Sequence, residues 1–292
     1  MYFAYCTASF IIILSIYSFH ISNKIYHHQL LKKNKDLNLA NLEIAKKSKL
    51  EAELELGRKF QEKYLTSIPE TLPSNDSIQL ATYYNASKKL GGDYYYAKWN
   101  DNYFQYALVD VTGKGIQSAL MTISIHALIR NQFYRIPQLP INEMMYQLNN
   151  SFLSLPTGYT ACDTFLLSLN INNLKLSYIN CALESAYVIR NQTVIELNKG
   201  GGLKPGLSEN ENYTTASLQL KPNDLIVLAT DGIIDMTNKE NKRYSHEKMK
   251  KFLIKKSWKD EKELKSALIN DVQSHQGKTT QNDDIAMLIM KV

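Results

Sequence analysis

The stretch "QYALVDVTGKGIQSALM", Gln105 to Met121, decides how this chain reads. Up to Val111 it is dense in the aromatic, β-branched and long apolar residues that fit a pleated, half-buried surface. A turn follows at Gly113 and Gly115. Ile116, Ala119, Leu120, Ile123, Ala127 and Leu128 then recur at helical spacing and predict a helix over about 115–135. Asp110 therefore stands where a buried strand meets a sharp turn. An aspartate at a turn is commonly a local cap, because its side chain bonds nearby backbone amides. A further role for Asp110 has to be argued from the rest of the chain.

Outward from this point the texture stays the same. Short β-rich runs dominate after Ser74: "IQLATYY", "DYYYAKW", "YFQYALVDV", "DTFLLSLNI", "LKLSYIN", "SAYVIR", "TVIEL", "TTASLQL", "DLIVLAT" and "DIAMLIMKV". Turn residues such as Asn172-Asn173 and Pro222-Asn223-Asp224 separate several of them, the pattern of consecutive antiparallel strands. Helices are expected over about 142–152, 246–256 and 260–274 as well. This predicts an α+β fold, a sandwich of two mainly antiparallel sheets between helical layers.

The N-terminal part differs. "MYFAYCTASFIIILSIYSFHIS" carries no Asp, Glu, Lys or Arg and is strongly apolar from Phe10 to Ile16, whereas about 20 apolar residues span a bilayer as a helix. Between Ile21 and Leu50 stand seven lysines and two acidic residues, which by the positive-inside rule would keep the following chain in the cytoplasm. A cleaved signal peptide fits less well, for lack of a basic start and a small-x-small cleavage site. The expected organisation is a transmembrane anchor at 1–23, a helical linker at 24–68 and a catalytic domain at 75–292. The linker composition favours helix, with Gly57 its one glycine from Lys24 to Tyr64. Leu30, Leu37 and Ile44 lie seven apart as one seam of a coiled coil, but the second seam is Lys33, Ala40 and Lys47, so any homodimer through it would be weak. The local basic excess thus belongs with a membrane surface, not with nucleic acid. Three cysteines, Cys6, Cys162 and Cys181, form no CxxC pair and read as small apolar residues.

Other acids repeat the Asp110 pattern. "LGGDYYY" sets Asp93 after a glycine pair, "LIVLATDGIID" carries Asp231 before Gly232, and "TTQNDDIAMLI" opens the last strand with Asp283 and Asp284. Carboxylates gathered in a buried place repel one another, and desolvation penalises their charge. Such a set calls for cations, and hard oxygen ligands suit Mg²⁺ or Mn²⁺.

Taken in order, G-G-D, D-V-T-G-K-G, G-G-G-L-K-P-G-L, D-L-I-V-L-A-T-D-G and D-D-I resemble the PPM-type metal-dependent protein phosphatases, and within them the SpoIIE-type (RsbU-like) bacterial serine phosphatases. The resemblance runs from about Leu54 to Val292. It implies a serine/threonine protein phosphatase with two Mn²⁺ or Mg²⁺ ions. Asp110 would bridge the ions, the Val111 carbonyl and Asp93 would serve the first, and Asp231 and Asp283 would hold the second. Asp110 and Asp231 would be the residues most needed for catalysis, through a shared water that attacks phosphorus in line. The substrate would be phosphoserine or phosphothreonine on a regulatory protein, such as an anti-sigma factor antagonist. Some positions depart from the pattern: Tyr96 replaces a second acid after G-G-D, "NCAL" at 180–183 replaces N-A-G-H, "DDIA" replaces D-D-I-T, and the D-G-x-x-E run ends in Asp235. A scaffold of the same fold that binds a phosphoprotein but hydrolyses it poorly is the alternative. Two short matches are set aside. A cyclase G-G-D carries a further acid where Tyr94 stands, and Lys114 is followed by Gly115 where a phosphate-binding loop needs Ser or Thr.

The anchor makes a direct prediction. Deletion of residues 1–23 is expected to move the protein from the membrane to the soluble fraction with its activity intact; retention in the membrane fraction would refute the anchor.

Overall fold

In the computed structural model, residues 2–64, 78–88, 90–99, 102–113, 115–135, 139–155, 161–184 and 186–292 are described, those at 2–9, 64 and 116 for their backbone alone. The chain divides into two compact units, Met1–Glu55 and Leu56–Val292.

The first unit is helix throughout its described residues, the greater part of α1 (Tyr2–Tyr64). Leu30, Leu37 and Ile44 of the expected seam are all exposed, and a coiled coil is not shown. Nor is a transmembrane anchor: among the described residues no helix is long and apolar enough to cross a membrane. The unbroken apolar run is short, Phe10 to Leu14, and Ser15, Tyr17, Ser18 and His20 dilute the residues after it. The Pro- and Ser-containing boundary at 67–76 lies outside the described residues.

Among the described residues, the second unit contains ten strands in two sheets. The strands are β1 (Gln79–Asn85), β2 (Asp93–Trp99), β3 (Tyr103–Val111), β4 (Cys162–Asn170), β5 (Lys175–Cys181), β6 (Ala186–Arg190), β7 (Thr193–Leu197), β8 (Ala216–Gln219), β9 (Leu225–Ala229) and β10 (Ile285–Lys291). One sheet runs β1-β10-β9-β6-β7, the other β2-β3-β4-β5-β8. Every pairing is antiparallel, as the short turns between strands require.

Alternation along the strands builds three apolar layers. Phe104, Tyr106 and Leu108 of β3 face Leu228 of β9 and Leu288 of β10 in the space between the sheets. The intervening Ala107 and Val109 point the other way, against α2 (Ile116–Arg135) and α3 (Ile141–Leu153), where Ile125, Ile129, Phe133, Met145 and Phe152 close the layer. On the far side Val227, Met287 and Ile289 pack on Met249, Phe252 and Leu253 of α4 (Ser245–Leu253) and on Leu264 and Leu268 of α5 (Glu261–Gln276). Asp260 caps α5 by accepting from the Glu263 amide at 2.8 Å. The result is the sandwich expected from the strand pattern, helices outside and two sheets within.

This arrangement ranks the apolar positions. Leu228→Ala, in the fully buried layer between the sheets, is expected to lower unfolding free energy by about 2–5 kcal/mol in urea titrations. Leu37→Ala, on exposed helix, should stay within about 0.5 kcal/mol; a loss as large as that at Leu228 would show that the seam is covered in solution.

Candidate active site

Strand register brings the acids together. In the ladder, Asp93 of β2 pairs with Asp110 of β3, and Asp110 pairs with Asp163 of β4. Residues paired across antiparallel strands share a face, about 5 Å apart at Cβ. The three therefore form a row across neighbouring strands. By alternation their face is that of Tyr95, Leu108 and Phe165, which belong to the layer between the sheets. The row is the open end of that layer, so the approach to Asp110 is apolar and the carboxylate itself is half-buried. From the opposite sheet come Asp231, two residues beyond β9, and Asp283, two before β10.

Their electrostatics reflect this crowding. Burial, and then the neighbouring Asp110, raise the Asp93 carboxyl well above the usual range, with the Thr230 hydroxyl opposing. One Asp93 oxygen, Oδ2, is buried without a hydrogen-bond partner. Asp110 is pushed up to about 6, first by burial and then by Asp163. Asp231 is pushed up to about 7 by burial, then by Asp110 and Asp283. An orphaned carboxylate oxygen amid mutually repelling acids is what an oxygen-seeking divalent cation relieves. Among the described residues, however, no three His, Cys, Asp or Glu side chains form a closed cluster ready to hold a metal. The acids share an edge, with donors of the right chemistry.

Glycines let the loops come this close. Gly113 and Gly115 have φ of 112° and 94°, values that L side chains rarely adopt, and turn the chain sharply behind Asp110. Gly91 and Gly92 are demanded by space. A Cβ on Gly92 would stand 3.0 Å from the Val111 carbonyl oxygen, and one on Gly91 2.7 Å from Asp284 Oδ2. A Cβ on Gly232 would run into the Asp284 carbonyl.

Asp284 proves to be a clamp. Its Oδ1 accepts from the Ser87 amide at 2.7 Å and the Ser87 hydroxyl at 2.9 Å, while Oδ2 accepts from the Gly92 amide at 2.7 Å. It ties the two sheets together beside Asp93. Gln61 of α1 does similar work. Its side-chain amide donates to the Gly91 carbonyl at 3.1 Å and to Thr122 Oγ1 of α2 at 3.3 Å, and accepts from the Gly91 amide at 3.2 Å. Gly57 lies one turn earlier, where a Cβ would stand 3.2 Å from Leu90 Cδ2, so tight packing as well as helix propensity marks that position. Sequence reading missed the clamp role of Asp284 and missed Asp163 and Gln61 altogether. Only strand pairing reveals the second of these, and a glutamine on a polar helix gives no signal of the third.

The departures also find their places. Tyr96 packs at 5.3 Å edge-on to His126 and at 5.6 Å to Phe133, on the face of β2 opposite Asp93. The row is intact without an acid there. After "NCAL", Glu184 pairs with His246 Nε2 at 2.8 Å, and Asp235 pairs with Arg243 at 3.0 Å. Cys162 and Cys181 are buried free thiols, as expected.

These shifts predict a pH dependence. Asp110 and Asp231 hold their protons more tightly folded than unfolded, where the usual value is about 3.9. Their contribution to stability is complete below about pH 4 and is lost as pH rises through about 6 and 7. A divalent cation such as Mn²⁺ would compete with protons for these acids. Saturating Mn²⁺ is therefore expected to raise Tm by about 5–10 °C at pH 7.5 and far less at pH 5. An equal shift at both pH values, or none, would contradict the carboxylate assignment.

Comparison with known proteins agrees with this geometry. Residues 100–292 match the family model described as stage II sporulation protein E (SpoIIE). Phosphoserine phosphatase RsbP of Bacillus subtilis is 30% identical over 188 residues, covering 63% of this chain and 46% of that protein. The chain spans about half the length of the curated relatives it matches. Among solved structures, the SiaA-PP2C domain of Pseudomonas aeruginosa has a TM-score of 0.74 at 20% identity, covering 84% of this chain and 98% of that one. The catalytic domain of the serine threonine protein phosphatase PstP, in complex with two manganese ions, has a TM-score of 0.52 at 12% identity, covering 73% and 97%. These likenesses give the fold, that of PP2C domains, and the family match is the decisive one: over about two-thirds of its length this chain belongs to the SpoIIE family.

Proposed function

We propose that this chain is a Mn²⁺- or Mg²⁺-dependent protein phosphatase that hydrolyses phosphoserine or phosphothreonine on a regulatory protein in bacterial signalling. The observation that carries this is the row Asp93–Asp110–Asp163 facing Asp231 and Asp283 at the end of the intersheet layer. The family match and the relative named a phosphoserine phosphatase support it. The manganese-bound PstP structure supports a two-ion site of the same fold.

In this reading Asp110, central in the row, would serve both ions, with the Val111 carbonyl and Asp93 also holding the first and Asp231 and Asp283 the second. When bound, the ions would polarise a water and offset charge on the phosphoryl oxygens. The chain's own part is to hold the carboxylates on rigid strands, with the Asp284 clamp fixing the Gly91–Gly92 loop. No Cys or Ser nucleophile is required. Buried Cys162, whose thiol burial pushes far up, is unsuited to be one. The partner in this reading is a phosphorylated regulatory protein of the anti-sigma factor antagonist kind. The exposed residues Phe10 to Leu14 favour a cytoplasmic-membrane location through the N-terminal helix, with the catalytic unit in the cytoplasm, and the Leu30–Ile44 seam favours a weak homodimer.

The experiment is hydrolysis of a phosphoserine peptide with Mn²⁺. Asp110→Asn is expected to lower kcat/KM by at least about 10³-fold, because losing the shared ligand removes both ions and not one electrostatic contact. Asp231→Asn and Asp283→Asn should behave alike. Asp284→Asn should lower Tm more than it weakens Mn²⁺ binding, because it loosens the Ser87 and Gly92 contacts. Wild-type turnover by Asp110→Asn would sink the assignment, and a wild-type protein without turnover would favour the binding scaffold.

A further inference from the structure

The ion pair between Asp163 and Lys204 lies outside the roles assigned so far. Asp163 ends the acid row, directly paired with Asp110. Lys204 comes from the glycine-rich segment 200–206, and the fold fixes its backbone closely. The Cys162 amide donates to the Pro205 carbonyl at 3.2 Å, which docks the segment on the first residue of β4. The Leu207 amide donates to the Lys204 carbonyl at 3.2 Å. Asn149 of α3, fully buried, accepts from the Gly206 amide at 2.8 Å and donates to the Ser208 carbonyl at 2.9 Å. Glu211 accepts from the Leu203 amide at 3.0 Å. Flanking contacts therefore hold the residue that delivers an ammonium to the end of the row. Its side chain is 38% exposed, so the charge is reachable from solvent.

The chemistry suggests what this cation does. A phosphomonoester is a dianion, and it has to approach an edge built from carboxylates. An ammonium has three N–H donors, and Lys204 meets Asp163 Oδ1 as an ion pair. Charge-assisted bonds to phosphate oxygens are among the stronger hydrogen bonds. A loop serving only to close the sheet would need no cation here, and an isolated Asp163 would only add to the repulsion on Asp110.

We propose that Lys204 is a substrate-binding residue that contacts the phosphoryl oxygens of the phosphomonoester and of the phosphate product, and that Asp163 is the positioning residue that holds it there. This rests on the phosphatase reading of the same site. It adds a protein-borne cation to whatever charge the metals supply, and it places the substrate phosphate on the Asp163 side of Asp110.

The test uses the full chain loaded with Mn²⁺. Inorganic phosphate is titrated calorimetrically, and p-nitrophenyl phosphate hydrolysis is measured alongside. Lys204→Gln is expected to weaken phosphate binding about tenfold and to raise KM by a similar factor, with kcat within about threefold, the scale of one charge-assisted hydrogen bond. Lys204→Arg should recover most of the binding. Mn²⁺ affinity should remain within about twofold. A Lys204→Gln protein with wild-type phosphate binding and a lowered Tm would reduce the pair to a stabilising ion bridge and overturn the proposal. Parallel loss of Mn²⁺ affinity would overturn it too, since the effect would then pass through the metals. A wild-type protein that neither binds phosphate nor turns over would instead remove the phosphatase reading, and this inference with it.

Discussion

Repulsion between carboxylates in one strand ladder is the constraint on which the rest of the structure depends. Asp93, Asp110 and Asp163 lie side by side on β2, β3 and β4. Like charges placed directly opposite in a sheet destabilise it, and burial makes each ionised carboxyl costlier still. The raised titration of Asp93, Asp110 and Asp231 expresses that cost. The intersheet layer, with Leu108, Leu228 and Leu288 fully buried, holds the strands in this register nonetheless. The stability of the core thus maintains a charge arrangement that a bound cation would relieve.

The loops around the row serve the same end. Asp284 bridges the β10 sheet to Ser87 and Gly92, and the glycines at 91, 92 and 232 exist because side chains there would collide with it or with the Val111 carbonyl. Gln61 adds a second grip on Gly91 from the last turn of α1 while also reaching Thr122 on α2. The loop that presents Asp93 is therefore held by Asp284, by the Val111 amide and by Gln61 of α1, which also reaches α2. A displacement of α1 near Gln61 would act on the Asp93 loop directly, through hydrogen bonds and not through a distant pathway.

Much of this was legible in the sequence, for physical reasons that can be named. The runs "DYYYAKW", "YFQYALVDV" and "TVIEL" are strands β2, β3 and β7 to the residue, because turn-forming residues bound dense β-formers on both sides. The aspartates beside glycine turns, Asp93, Asp110 and Asp231, announced themselves locally. Asp163 did not. It sits within "CDTFLLSLN" with no glycine beside it, and only the pairing of β3 with β4 sets it against Asp110. Lys204 and Gln61 are likewise defined by distant partners. At the N-terminus a short local run of isoleucines suggested a span, and among the described residues no helix is long and apolar enough to cross a membrane.

Manganese stoichiometry tests the central claim most directly. Equilibrium dialysis of the full chain at pH 7.5, with bound Mn²⁺ counted by elemental analysis, is predicted to give two ions per wild-type chain. Asp110→Asn should lose both, since its carboxylate is shared, and Asp163→Asn should keep both. A wild-type chain that binds no Mn²⁺, or an Asp110→Asn protein that still binds two ions, would contradict the account.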